Sequence, residues 1–600
     1  MINEFDEEFG DGTDNIETDL MDIRESARIN GIIEKLKLYD SNPQVLTELY
    51  TQILLDDNVA FMLVKVSQNP IFMKHFNSGI EFKNVSFEYR KNKKVLHELS
   101  FQINKGEKIA LCSRNSANWG IAFLATLTYG AVAIPILHEF KADNIHHIIN
   151  HSEARLLFVG DSNWEQLDHQ HMPHLDGVIR MEDYVVKEIS KPVIRDARKQ
   201  VNRLFGEKFP DRFTVDDVSY RKDQPEEIAM INYTSGTTSA SKGVVLPYLS
   251  MWSNLRFALD QMGYHPGEKL VAILTMAHMY GLAFEFIYPF ASGTQVYFLA
   301  KTPSPRVIAE VFQNIRPNLI VAVPLIIEKV IRKGVLPHLQ KRHIRLFMRI
   351  PILNNKVKAS IKQKVLDAFG GQFKLLAVGG AALNHEVEAF LADIRFPYTV
   401  GYGMTECGPG ISFDDWRTFR LGSCGKAIDR IELKIDSANP HRIVGEILVR
   451  GDNVMKGYYK NPQATAAALD EEGWLHTGDL GIIDESGYLY IKGRSKNMIL
   501  GPSGQNIYPE EIEDKLNVMP YVAESLVIEH EGKLVALIYP DFEAARNAKL
   551  SDTALTKQLE QNRKQLNEIL PGYSQISRIR IRQEEFEKTP KRSIKRYLYQ

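Results

Sequence analysis

Cysteine is scarce in this sequence: 600 residues carry three, Cys112, Cys407 and Cys424. They lie far apart with no Cys-x-x-Cys pair, which excludes a disulfide framework and points to free thiols in a reducing cytosol. Net charge is also lacking. The 73 basic and 75 acidic residues leave −2, so no global field draws the chain to nucleic acid, and binding must depend on local sites. No uncharged run reaches the roughly 20 residues that a membrane-spanning helix needs. The acidic stretch 1–22 lacks the basic flank and apolar core of an export signal. No Gly-Lys-Ser or Gly-Lys-Thr occurs anywhere, which excludes the Walker phosphate loop.

At 44% hydrophobic and 25% charged residues, the chain reads as a large globular protein that must divide into domains. Residues 1–78 form an acidic extension, with apolar residues such as Ile33, Leu36, Leu46, Leu49 and Leu54 near helical spacing beyond its first 30 residues. Further on, short apolar runs end at glycine-rich or polar loops: Met230–Tyr233, Leu270–Leu274, Leu319–Val323, Leu375–Val378 and Tyr398–Val400. Helical stretches alternate with them, which predicts α/β architecture with parallel sheets and ligands at the carboxyl ends of the strands. The stretch Leu270–Ala300, interrupted by His278 and Glu285, reads as two core elements or the wall of an apolar pocket. Past Arg494 a polar turn around Gly501–Gly504 leads to a helix opening at Pro509, with Glu510 and Glu511 complementing its positive end. These features predict a large domain over 79–493 and a small α+β domain over 494–600.

The run Ile231-Asn-Tyr-Thr-Ser-Gly-Thr-Thr-Ser-Ala-Ser-Lys-Gly243 is an apolar strand that breaks into six hydroxyl-bearing residues around one glycine, followed by a lysine. Thr234, Ser235, Thr237 and Thr238 offer hydroxyl and backbone donors. Gly236 lets the backbone approach a phosphate closely, and Lys242 is a flexible point charge. The full order resembles the phosphate-loop signature of the adenylate-forming superfamily, which includes acyl-CoA synthetases, luciferases and peptide-synthetase adenylation domains. The resemblance runs from about Lys105 to Gln600, with the superfamily's motifs in order, and is nearest to bacterial long-chain fatty acid–CoA ligases.

The resemblance implies roles residue by residue. Leu375-Leu-Ala-Val-Gly-Gly-Ala-Ala382 would lay Gly379, Gly380 and Ala381 along an adenine. In Gly401-Tyr-Gly-Met-Thr-Glu-Cys-Gly408, Tyr402 would pack on the adenine, Thr405 would contact the adenylate phosphate, and Glu406 would help to hold Mg²⁺. In Gly473-Trp-Leu-His-Thr-Gly-Asp-Leu480, Asp479 would accept both ribose hydroxyls, assisted by Arg494, with Lys496 at a hinge. His278 matches the position beside the acyl carboxylate, and Gly504 would line the pantetheine tunnel. The implied reaction uses ATP, Mg²⁺ and CoA to convert a fatty acid to an acyl-adenylate and then to acyl-CoA. An acyl-carrier-protein ligase, an acyl-AMP ligase and a non-catalytic nucleotide-binding homologue are the competing readings. The expected location is the cytoplasm, with room for peripheral contact at a membrane surface.

Two departures stand out. The superfamily's C-terminal lysine falls at Ser593, with Lys591 and Lys595 each two residues away and thus on the same side of an extended segment; Lys591 is the favoured replacement. Upstream, Ile80–Tyr89 and Val95–Leu111 alternate like paired strands and resemble the opening of an ABC-transporter ATPase. Cys112-Ser-Arg-Asn-Ser-Ala-Asn-Trp119 follows instead of a Walker loop, so the ATPase reading fails on chemistry.

Overall fold

The structure, a computed structural model, describes residues 81–90, 93–102, 106–189, 203, 206–207, 209–210, 224–234, 241–299, 304–334, 351–500, 505–588 and 594–599. Ser235, Gly236, Thr237, Thr238, Gly504, Lys591 and the extension 1–78 lie outside them. The chain divides into two units, and the elements that carry the site belong to the unit containing Glu98–Gln600. The alternating upstream segment pairs in part, Glu81–Arg90 with Lys93–Gln102, whereas its end, Lys108–Cys112, is a separate strand of a parallel sheet.

Two sheets carry most of the large domain. The first has eight strands, with Val132–Pro135, Lys108–Cys112, Leu156–Val159 and Gly177–Arg180 running parallel beside Ile228–Thr234. Each of the three strands Val132–Pro135, Lys108–Cys112 and Leu156–Val159 is buried through nearly its whole length, as expected for parallel strands covered on both faces. The second sheet has five strands, all parallel, in the order Gln295–Phe298, Lys269–Ala272, Leu319–Ala322, Leu375–Val378 and Tyr398–Val400. The fold is therefore the expected α/β type, a large domain of parallel-sheet layers with a smaller domain after it.

The phosphate-loop segment departs from a strand–loop–helix arrangement. Strand Lys242–Pro247 runs antiparallel to Ile228–Thr234, with Thr234 opposite Lys242, at the carboxyl end of a strand that pairs in parallel with Val132–Pro135. The stretch Leu270–Ala300 is also more divided than two elements. A short helix Met279–Gly281, a π-helical turn Leu282–Ile287 and a helix Tyr288–Ala291 separate the strands Lys269–Ala272 and Gln295–Phe298. Glu285 does not interrupt the core; it is buried within it and accepts from the backbone N–H groups of Ile273 at 3.2 Å and Leu274 at 2.7 Å.

A four-stranded antiparallel sheet, Ile431–Asp436, Gly445–Gly451, Leu475–Ile483 and Leu489–Arg494, leads to the small domain. There Pro509 opens the helix Pro509–Leu516, with Glu510 and Glu511 in its first turn. The sheet Val522–His530, Lys533–Pro540 and Arg578–Ile581 completes this domain. Its apolar residues form their own clusters, one between sheet and helices around Val527, Leu534, Leu559 and Leu566, and one on the opposite face around Leu526, Ile528, Val535, Leu537 and Phe586.

Candidate active site

The segment 401–410 leaves the edge of the parallel sheet and carries three candidate residues within five positions. Buried polar side chains hold it in place. Asn254 donates to the carbonyls of Cys407 at 2.9 Å and Ser250 at 3.0 Å, and accepts from the Gly410 N–H at 2.8 Å. Asn453 donates to the Gly410 carbonyl at 2.6 Å, and the Ser250 hydroxyl donates to the Asn453 carbonyl at 2.6 Å. Asn254, Ser250 and Asn453 are fully buried, so each bond lies where an unmade one would be costly. A side chain at Gly408, which sits at φ +61°, would meet the Ser250 hydroxyl at 2.3 Å. The loop has one place to sit.

Thr405 and Glu406 are buried in a short helical turn, Thr405–Cys407. The Glu406 carboxylate accepts from the Tyr458 hydroxyl at 2.9 Å, and the Lys242 ammonium lies 4.6 Å above the centre of the same Tyr458 ring. One tyrosine therefore joins the lysine after the phosphate loop to the acidic residue assigned to the cation. Burial and the neighbouring Glu406 push the Tyr458 phenol well above its ordinary range, so it remains a donor. The alternation of the Gly457–Tyr458 segment carries no sign of this role.

At the other end of the 401–408 turn, the Tyr402 hydroxyl donates to Asp479 at 2.6 Å, and Arg494 reaches the second carboxylate oxygen at 2.9 Å. Asp479 and Arg494 face each other across adjacent antiparallel strands. Asp479 is 5% exposed. Burial pushes its carboxyl up from the ordinary range, against the pull of the Arg494 guanidinium and the Tyr402 hydroxyl. Tyr402, expected on an adenine face, has its polar end committed to the carboxylate.

The Gly379–Gly380 turn meets the His278 segment. A Cβ at Gly379 would lie 3.0 Å from the ring and hydroxyl of Tyr280, and Gly380 adopts φ +83°, so both glycines are required by backbone and packing. Gly380 and Ala381 are exposed. His278 caps the helical turn at Met279, its Nδ1 accepting from the Tyr280 N–H at 3.2 Å. Asn115, in the segment that stands where a Walker loop would, ties this region down by donating to the Leu274 carbonyl and accepting from the Met276 N–H.

Not every candidate is brought to these clusters. The Lys595 ammonium pairs with Glu587 at 3.2 Å inside the small domain. Lys496 lies in a short turn, Ser495–Asn497, at the start of that domain. Glu406 supplies a single carboxylate, which suits Mg²⁺, a cation that commonly takes one or two carboxylates and fills its shell with phosphate oxygens and water. The buried acceptor at Asp479, the donor and cation around Glu406 and the exposed glycine turn fit a nucleotide triphosphate.

A family model described as AMP-binding enzyme matches residues 94–459, and one described as AMP-binding enzyme C-terminal domain matches 496–599. The chain belongs to the AMP-binding enzyme family. Among relatives of this family member, the long-chain-fatty-acid–CoA ligase FadD15 of Mycobacterium bovis is 27% identical, over 83% of this chain and 87% of its own length. The long-chain-fatty-acid–CoA ligase 1 of Homo sapiens is 26% identical over 75% of this chain and 68% of its own length. In fold, ATP-bound MatB from Rhodopseudomonas palustris aligns with a TM-score of 0.64 at 21% identity, covering 83% of this chain and 88% of that one. The o-succinylbenzoate CoA synthetase MenE from Bacillus subtilis, with ATP and magnesium, aligns with a TM-score of 0.62 at 22% identity, covering 82% and 89%. Among the described residues, no helix is long and apolar enough to cross a membrane.

Proposed function

We propose that this AMP-binding enzyme is a long-chain fatty acid–CoA ligase. A fatty acid carboxylate attacks the α-phosphorus of ATP, the bond to the β-phosphate breaks, and pyrophosphate leaves an acyl-adenylate. The CoA thiol then attacks the acyl carbon, loses its proton and displaces AMP. The observation that carries the reading is the pair of clusters at the two ends of one clamped turn, Tyr402–Asp479–Arg494 and Glu406–Tyr458–Lys242, in a chain similar to fatty-acid–CoA ligases over most of its length.

In this reading Asp479 accepts the ribose hydroxyls, Gly379, Gly380 and Ala381 lie along the adenine, and Thr234 to Thr238 with Lys242 hold the phosphates. Mg²⁺ at Glu406 would offset charge on the phosphate oxygens. The remaining work is positioning and charge stabilisation by Thr405, Lys242 and a small-domain lysine. Lys591 is our choice for that lysine, with the small domain beginning at about residue 494 and turning near Lys496 between the two half-reactions. The second reading, a nucleotide-binding homologue without adenylation, is motivated by Ser593 at the family's lysine position.

The deciding experiment measures pyrophosphate release across a panel of carboxylic acids, then product mass with and without CoA. Release that depends on a long-chain acid, with thioester formed only when CoA is present, is the expected result. ATP binding without release would favour the second reading.

A further inference from the structure

The small domain carries a second cluster of basic groups, away from the nucleotide residues. Strand Arg578–Ile581 reads Arg-Ile-Arg-Ile and is followed by Arg582. Ile579 and Ile581 pack into the helix-covered core, so by alternation Arg578, Arg580 and Arg582 stand on the opposite face. There Arg578 Nη2 lies 3.1 Å from His530 Nδ1, and Arg580 Nη2 lies 3.2 Å from His530 Nε2. A guanidinium only donates, and a neutral imidazole has one lone pair and one N–H. One of the two arginines therefore faces a ring nitrogen with nothing to accept its proton.

The nearby carboxylates offset only part of the positive charge gathered here, and Glu531 does so on the Nδ1 side. Glu531 is 79% exposed and stands 3.5 Å from His530 and 3.9 Å from Arg578. Glu524 and Glu585 are taken by Lys588, and Glu587 by Lys595. Arg582 adds a further charge, its guanidinium held 4.9 and 4.7 Å from the ring centres of Phe586 and Tyr599. Two guanidinium forks converging on one imidazole, with Glu531 the single carboxylate in ion-pair reach of them among the described residues, leave an excess of positive charge and of N–H donors that suits an oxyanion with several oxygens.

We propose that Arg578, His530 and Arg580 form a site for a phosphoryl group, supplied by a free phosphate-bearing ligand or by a phospholipid headgroup. The two sources share one chemistry, and the experiment separates them.

The full-length protein, its nucleotide site filled with AMP, is titrated with inorganic phosphate against chloride at matched ionic strength. It is also sedimented with phosphatidylcholine vesicles with and without phosphatidic acid, whose headgroup is a phosphate monoester. The Arg578→Gln/Arg580→Gln double variant should lose at least about tenfold in whichever binding the wild type shows, as two charge-assisted forks are removed, while acyl-CoA formation is retained. Arg578→Lys/Arg580→Lys should lose a substantial part of it, and Glu531→Gln should bind more tightly. Phosphate binding without vesicle sedimentation identifies a free ligand; sedimentation that depends on phosphatidic acid identifies a headgroup. A double glutamine variant that binds both probes like the wild type, or a double lysine variant indistinguishable from it, overturns the site.

Discussion

Asp479 has both carboxylate oxygens engaged, one by the Tyr402 hydroxyl and one by Arg494, so its removal acts twice. A ribose loses acceptors worth roughly 1.5–3 kcal/mol per charge-assisted bond, and the Tyr402 hydroxyl loses its partner at about 1–3 kcal/mol. Asp479→Ala should therefore weaken ATP binding by at least about tenfold and lower the unfolding temperature, read by ATP titration and calorimetry. Unchanged affinity would remove the ribose assignment. Tyr458 allows a finer dissection. Tyr458→Phe deletes the donor to Glu406 but keeps the ring beneath Lys242, whereas Tyr458→Ala deletes both. Both should reduce kcat for adenylation more than they raise KM for ATP, with alanine the more damaging; equal effects would mean that the cation–π contact contributes nothing. The candidates Asp479, Glu406 and Tyr402 were legible because motif order marks them. Tyr458, Asn254, Ser250 and Asn453 were not, since a polar residue on a helix, short strand or turn looks solvated until tertiary packing buries it.

At the scale of elements, helix His385–Asp393 buries Glu388, 4% exposed, whose carboxylate accepts from the Gly422 N–H at 2.9 Å. Burial pushes its carboxyl up to about 7, with the Gly422 bond opposing and Asp514 of the small domain adding to the rise. A folded-state value raised above the unfolded one means that the native state holds the proton longer. Stability contributed by this group is thus full below the unfolded value and falls as pH rises toward about 7. Glu388→Gln keeps an acceptor for Gly422 and cannot ionise. The variant should match the wild type near pH 4.5 and be the more stable by an order of a few kcal/mol above pH 7, as checked by denaturant unfolding across pH. A constant difference at all pH values would rule out the buried ionisation. Four strands of the five-stranded parallel sheet, Lys269–Ala272, Leu319–Ala322, Leu375–Val378 and Tyr398–Val400, were readable as apolar runs because burial on both faces removes alternation. The antiparallel pairing of Lys242–Pro247 was not, because strand direction depends on partners that a local pattern does not name. Nor was the subdivision of Leu270–Ala300, where the backbone N–H groups of Ile273 and Leu274 satisfy Glu285 inside an apolar run.

At the scale of the molecule, the open question is which lysine serves the first half-reaction, and the C-terminal segment constrains the answer. Lys595 is tied to Glu587 in a pair 30% and 66% exposed, worth at most about 1 kcal/mol. Next to it, Arg596 is 13% exposed and pairs with the buried Glu513, itself held by the Val527 N–H at 2.6 Å. Arg596 therefore anchors the tail to helix Pro509–Leu516, whose Glu510 and Glu511 contact Asn497 at 2.5 Å and Lys492 at 3.2 Å at the entry to the small domain. Breaking a buried pair by deleting one partner costs roughly 3–5 kcal/mol, so Arg596→Ala should loosen the tail and depress both half-reactions. Lys595→Ala should change either rate by less than about fivefold, the most that a weak exposed pair accounts for. Lys591→Ala should differ from both: it should slow carboxylate-dependent pyrophosphate release while sparing thioester formation from supplied acyl-AMP, because the proposed rotation of the small domain would present Lys591 for the first step and withdraw it for the second. Measuring the two half-reactions separately for the three variants decides the assignment. If Lys595→Ala, and not Lys591→Ala, selectively slows pyrophosphate release, the lysine must leave Glu587 during turnover; if neither does, adenylation proceeds without a lysine from this segment.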